Sequence, residues 1–294
     1  MINFMRYKWF FFLFSALVIG PGLISLVLFG LKPSIDFTGG TLWEIEVSQQ
    51  SAANNEQVEQ VLEEEGFSSE VQSSGENRFL IRTMPLDVSQ KNLISGELLK
   101  VVGEFAEIRF ETLGPRIGRE LLQKALLGVV LAIFALAAYI AYRFANIVYG
   151  LAAILAVFHD MLVLLGTFSL LGYFFGIEID TLFVTAVLTT LSFSVHDTIV
   201  VFDRIREIGR KTAESNLEQV VNQAVGETLV RSLNNSLTII FMLTALFVLG
   251  GETLRWFVFA LLVGTITGTY SSTFTAAPLL LVLKSLRGKT LGNS

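Results

Sequence analysis

The sequence predicts an α-helical membrane protein with six transmembrane helices and a small α+β ferredoxin-like extracytoplasmic domain. Three observations predict it. Six stretches are apolar over bilayer-crossing lengths, in a 294-residue chain that is 52% hydrophobic and only 16% charged, with mean hydropathy +0.62. A soluble chain carries charge at about a quarter of its positions. Lys and Arg gather beside alternate short loops, and one long polar segment mixes strand and helix periodicities.

The first apolar run, Trp9–Leu31, contains no charged residue and as a helix covers the roughly 30 Å of hydrocarbon. Arg6 and Lys8 precede it, as in a signal peptide. The run is, however, about twice a usual signal core and no small-x-small cleavage site follows, so an uncleaved anchor is expected. Ala125–Tyr142, Ala145–Gly172, Thr181–Phe202, Leu237–Gly250 and Trp256–Leu283 follow. The fifth is short unless it begins near Leu233.

Orientation follows from the Lys and Arg flanking short loops. With the N-terminus inside, the inner segments hold Arg6 and Lys8, then Arg143, then Arg204, Arg206, Arg210, Lys211 and Arg231, then Lys284, Arg287 and Lys289. The short outer loops hold only Arg255. The expected organisation is a cytoplasmic N-terminus (1–8), a first span (9–31), an outer domain (32–124), a five-helix region (125–283) and a cytoplasmic tail (284–294). Within the five-helix region, 203–232 carries Leu217, Val220, Val221, Ala224, Val225 and Leu229 as an apolar stripe. It reads as an amphipathic helix lying along the inner membrane surface.

The outer segment has 16 acidic and 9 basic residues, a net −7. Thr41–Val47 alternates, with Trp43, Ile45 and Val47 on one face and Glu44 and Glu46 on the other, a half-buried strand. Asn54–Glu65 places Val58, Val61 and Leu62 at helical spacing and stops at Gly66. Glu70–Gln72 and Arg78–Thr83 flank Ser73-Ser74-Gly75-Glu76 as a hairpin. Asp87 or Ser89 caps a helix through about Val102, with Ile94, Leu98, Val101 and Phe105 inward, and Glu107–Leu113 alternates again. The order βαββαβ gives the ferredoxin-like sandwich. The domain has no histidine, and its scattered carboxylates read as a solvated acidic face.

Composition narrows the function. With no cysteine, disulfides, thiolate metal sites and cysteine nucleophiles are excluded. Two histidines make a metal site unexpected, and no cofactor is implied. A net charge of −5 argues against nucleic acid as a partner. No nucleophile, base and oxyanion arrangement can be assembled, so an enzyme is not expected.

Ionisable residues inside spans are costly and invite a functional reading. His159 and Asp160 fall near the middle of the third span, and His196 and Asp197 in the inner half of the fourth. Arg231 stands at the start of the fifth, where its side chain can snorkel. Burial helps a carboxyl keep its proton and a neighbouring Arg opposes this, so Asp197 with Arg231 reads as a proton switch. The competing reading is that these charges only glue helices together. Neighbours on a helix point about 100° apart, so His159 and Asp160 are not expected to face one partner. In the sixth span Ala260, Gly264, Gly268 and Ser272 form a small-residue stripe suited to close packing.

Four segments resemble the SecD/SecF family of protein-export membrane proteins. They are Ile35-Asp36-Phe37-Thr38-Gly39-Gly40-Thr41 after the first span, Gly114-Pro115-Arg116-Ile117-Gly118 before the second, Ser194 to Glu207 with Asp203 and Arg204 in the fourth, and Arg231 to Thr238 in the fifth. The resemblance covers nearly the whole chain and is of the SecF type. It implies half of a pseudo-symmetric bundle related to the resistance-nodulation-division (RND) transporters, in a bacterial cytoplasmic (inner) membrane. SecD would be the partner, with the SecYEG channel, the SecA motor, the translocating preprotein, protons and membrane lipid also engaged. Asp197 and Arg231 match the family's proton-path positions, with His196, Asp160 and His159 as secondary candidates. His196 departs from the family pattern, where many relatives carry Asn. The implied role is proton-driven promotion of late preprotein export. The alternatives are half of an RND-type exporter of lipids or small molecules, and a scaffold whose buried charges are structural.

Overall fold

The computed structural model describes residues 3–48, 53–73, 77–144, 146–211 and 216–291. The chain divides into two compact units, Met1–Lys32 with Leu127–Ser294, and Pro33–Leu126.

A 3₁₀ turn, Phe4–Tyr7, leads into α1 (Lys8–Leu28). The smaller unit then runs through a single turn α2 (Ile35–Thr38), β1 (Gly40–Val47), α3 (Asn55–Glu64), β2 (Ser69–Ser73), β3 (Arg78–Thr83), α4 (Val88–Val102) and β4 (Phe105–Leu113). The sheet is antiparallel in the order β2-β3-β1-β4, the ferredoxin-like arrangement. Both helices start with reciprocal capping boxes, Asn54 with Gln57 and Asp87 with Gln90, which satisfy N-terminal donors. Trp43, Ile45, Val58, Leu62, Ile81, Ile94 and Leu98 form the core. The expected hairpin turn at 74–76 lies outside the described residues. Val101, expected inward, is 42% exposed, and Val102 is buried instead. Ile94, Leu98 and Val102 keep a strict four-residue spacing, which leaves Val101 rotated off the buried face.

Two glycine motifs meet within this unit. Gly39 (φ +75°) and Gly40 (φ +134°) occupy backbone conformations closed to other residues. A Cβ on Gly39 would lie 2.6 Å from Pro115 Cα, and one on Gly118 2.8 Å from Gly39 N. The segments leaving and rejoining the first and second spans therefore touch backbone to backbone. Asp36, Phe37 and Thr38 build the turn that delivers Gly39: Ser34 caps the Asp36 N–H and Phe37 is buried.

Helix α5 (Pro115–Phe144) begins in the smaller unit and ends in the larger, which adds α6 (Ile147–Phe175), α7 (Thr181–Lys211), α8 (Leu217–Leu249), α9 (Glu252–Ser271), a π turn (Ser272–Ala276) and α10 (Ala277–Leu291). Among the described residues six helical stretches are long and apolar enough to cross a membrane, the sixth being Thr253–Leu286. Helix α6 is the central one. Gly22 of α1 meets Gly166 of α6 backbone to backbone, and Ser25 and Ser169 hydrogen bond beside them at 2.8 Å.

The segment 203–232 is not a separate surface helix. Helix α7 continues to Lys211, and α8 runs unbroken from Leu217 through the fifth span. Val220, Val221, Ala224 and Val225 are buried in the core of the unit. Asn216 caps the new helix, and nothing after it breaks the helical run. The stripe packs on the C-terminal turns of α7, with Val220 facing Gly209.

Candidate functional site

Asp160 sits near the middle of α6 and is 5% exposed. Its Oδ2 accepts from Ser194 Oγ of α7 and, at 2.7 Å, from Ser271 Oγ of α9. Its Oδ1 lies 2.9 Å from His159 Nδ1, and His159 Nε2 lies 3.0 Å from Ser15 Oγ of α1. A carboxylate only accepts, so with Asp160 ionised Nδ1 carries the ring hydrogen and Nε2 of a neutral ring accepts from Ser15. Ser15 is 3.4 Å from the Tyr270 hydroxyl, which donates to Phe11 O at 3.0 Å.

His159 and Asp160 do leave the helix in different directions, towards α1 and towards α7 and α9. They face no common third residue, and the imidazole also folds back onto the neighbouring carboxylate. Among the described residues no Lys or Arg pairs with Asp160, and His159 meets it through a hydrogen bond. A buried charge in low dielectric is tolerable only with such hydrogen bonds.

Asp197 is half-buried on α7, and its Oδ2 accepts from Ser232 Oγ of α8 at 2.7 Å. Arg231 does not stand beside it: the side chain is exposed and makes no ion pair with Asp197. Adjacent positions on α8 are about 100° apart, so turning Ser232 towards α7 turns Arg231 away. His196 is also exposed.

A narrow pocket of about 20 Å³ opens between α7, α8 and α9, lined by Ser194, His196, Asp197, Ser236, Gly268 and Thr269 among others. Thr269 Oγ1 donates to Ser236 Oγ at 2.6 Å. The small-residue stripe forms the α9 wall against α7. Ala260 and Ser272 are fully buried, Gly264 faces Thr190, and a Cβ on Gly268 would lie 3.1 Å from Ser194 Cβ.

Asp203 and Arg204 lie apart from the carboxylates and tie α7 to its neighbours α5 and α8. Asp203 accepts from Arg143 of α5 at 2.7 Å, and Arg204 pairs with Glu207 and with Glu227 of α8. Sequence reasoning gave no role to Ser15, Ser194, Ser232 or Ser271. The spacing of Ser194 and Asp197, three apart and so on one helix face, was the available signal. No group of three or more His, Cys, Asp or Glu among the described residues is arranged to hold a metal.

The family model "Protein export membrane protein SecD/SecF, C-terminal" matches residues 94–286, and "SecD/SecF GG Motif" matches 24–51. The second contains Gly39 and Gly40. The chain is 42% identical to protein translocase subunit SecF of Thermobaculum terrenum, over 95% of this chain and 93% of that one. It is 38% identical to SecF of Vibrio alginolyticus, over 96% and 90%. The crystal structure of SecDF, a translocon-associated membrane protein from Thermus thermophilus, superposes with a TM-score of 0.85 at 32% identity. That match covers 97% of this chain and 39% of the longer SecDF chain. With six membrane-length helices, a ferredoxin-like unit and the paired-glycine motif in these places, the chain belongs to the SecD/SecF family of protein export membrane proteins.

Proposed function

We propose that the chain is the SecF-type subunit of a protein translocase, paired with a SecD partner in the bacterial cytoplasmic membrane. Together they use the proton motive force to promote late stages of preprotein export through SecYEG after SecA has acted. Both termini are cytoplasmic and the ferredoxin-like unit lies outside, as the distribution of Lys and Arg around the short loops supports.

The observation that carries the reading is Asp197, a half-buried carboxylate within a membrane-length helix, held by a neutral hydroxyl rather than a cation. Such a group can take up and release a proton where a permanently paired charge cannot. Arg231 is one residue from Ser232, so a turn of α8 about its axis by part of 100° exchanges hydroxyl for guanidinium at Asp197. Protonation favours the Ser232 arrangement and ionisation favours Arg231. One proton crossing about 100 mV releases roughly 2.3 kcal/mol, enough to bias a helix turn of this kind and too little for a large unfolding step.

The test is preprotein translocation into membrane vesicles, with and without a proton gradient, comparing wild type with Asp197→Asn in the assembled complex. The expected result is normal assembly with loss of the gradient-dependent increment alone. An assembled variant that keeps the increment would show the carboxylate to be packing and overturn the reading.

A further inference from the structure

Asp160 takes no part in the exchange just described, yet it is the more deeply buried of the two intramembrane carboxylates. Three observations connect them. Ser194 and Asp197 are three residues apart on α7 and line the same pocket. Ser194 Oγ donates out of that pocket to Asp160 Oδ2. The pocket's volume of about 20 Å³ accommodates one water, with the Asp197 carboxylate and the Ser194, Ser236 and Thr269 hydroxyls as polar lining.

We propose that Ser194 and a single water in this pocket join Asp197 to Asp160, so that a proton captured at Asp197 is passed inward to the Asp160–His159 pair. The inference rests on the proton-coupled reading above and extends it from one carboxylate to two. The step balances. Protonated Asp197 gives its hydrogen to the water, the water gives one of its own to Ser194 Oγ, and Ser194 gives its hydroxyl hydrogen to Asp160 Oδ2. Water and serine each gain one proton and lose one, Asp197 ends as the carboxylate and Asp160 as the acid.

The arrangement around Asp160 suits an acceptor. His159 from its own helix, Ser15 from α1, Ser194 from α7, and Ser271 with Tyr270 from α9 surround it. None of these is a fixed cation that would hold Asp160 permanently ionised. The titratable group beside Asp197 in the pocket lining is His196 on α7; Arg231 on α8 is exposed and does not line the pocket.

Packing and relay are separable because Asp160 Oδ2 has two serine donors. Ser194→Ala removes one bond and breaks the path. Ser271→Ala removes an equivalent bond from the same oxygen and leaves the pocket alone. Gly268→Ala keeps every polar group but presses a methyl to 3.1 Å from Ser194 Cβ, between two residues that line the pocket.

The experiment is gradient-driven proton entry into vesicles holding the assembled complex and a trapped pH-sensitive dye. Ser194→Ala and Gly268→Ala are each expected to slow entry about tenfold, and Ser271→Ala only about twofold, since the lost hydrogen bond to a charged group is common to both serine variants. Entry at the wild-type rate in assembled Ser194→Ala overturns the proposal, as does equal slowing by the two serine variants. Should Ser194→Ala fail to assemble, Gly268→Ala decides, and wild-type entry there has the same force. Wild-type entry in Asp197→Asn would instead sink the proton-coupled reading itself.

Discussion

Gly22 on α1 and Gly166 on α6 cross with their backbones in contact. A Cβ on Gly166 would lie 2.7 Å from Gly22 Cα, and one on Gly22 would lie 2.8 Å from Gly166 Cα. The atoms in the way are main chain, so no rotamer change relieves them. The same helix pair carries Ser15 to His159 and Ser25 to Ser169, so this crossing sets the reach of α1 into the polar network.

Gly166→Ala is therefore expected to destabilise the membrane unit by about 1–3 kcal/mol, the usual cost of forcing extra volume into a packed contact. Gly128→Ala on α5, with nothing within 4 Å of the new methyl, should instead stabilise by up to about 1 kcal/mol through helix propensity. Unfolding midpoints in detergent would check the opposite signs.

Arg231 offers a second contrast between stability and work. Because it makes no ion pair with Asp197 in the structure, Arg231→Gln should change stability by no more than about 0.5 kcal/mol, as for an ordinary exposed substitution. If Arg231 captures Asp197 during each cycle, the same variant loses the gradient-dependent part of translocation. A stable variant with undiminished gradient dependence would mean that α8 does not exchange the two residues.

Among the positive-φ glycines of the smaller unit, Gly39 and Gly66 should behave differently. Both hold a positive φ that strains any other residue by about 1–3 kcal/mol. At Gly66 a Cβ meets open space, so Gly66→Ala costs about that much. At Gly39 it also strikes Pro115, which adds about 1–3 kcal/mol of overpacking. Limited proteolysis against temperature would rank them.

Asp87 caps α4 with its side chain on the Gln90 N–H at 2.8 Å, and Gln90 returns the bond at 2.8 Å. Asp87→Ala should cost about 0.5–2 kcal/mol, while Asp87→Asn, which keeps an acceptor, should cost little. The same proteolysis assay resolves the pair.

The spans and the sandwich were legible in the sequence because their signals are local. Lipid demands long apolar runs, and strands and helices bury residues at fixed periods, so Trp43 with Ile45 and Val58 with Leu62 announce their faces. The single-residue slip at Val101 marks the resolution of that method. Continuity of α8 was hidden because an amphipathic stripe looks the same whether it packs on lipid or on another helix. The polar network was the least legible part. Most intramembrane hydroxyls bond their own helix four residues back, as Thr167, Thr189 and Thr265 do. Ser15, Ser194, Ser232 and Ser271 reach across only because helix crossings bring acceptors to them, which no local pattern records. The resting position of Arg231 was hidden for a related reason: proximity to Asp197 depends on the rotation of α8, and about 100° decides between serine and arginine.

The π turn at Ser272–Ala276 gives the sixth span a property of phase. Its i→i+5 bonding takes up a surplus residue that a continuous α-helix would not hold. Each residue by which that surplus travels along the span swings one side chain round the axis by about 100°, while both ends of the span keep their depth. Ser271, which donates to Asp160, is the first side chain on the N-terminal flank, so a surplus moved one residue that way would turn its hydroxyl off the carboxylate, with no piston motion and no break in the helix.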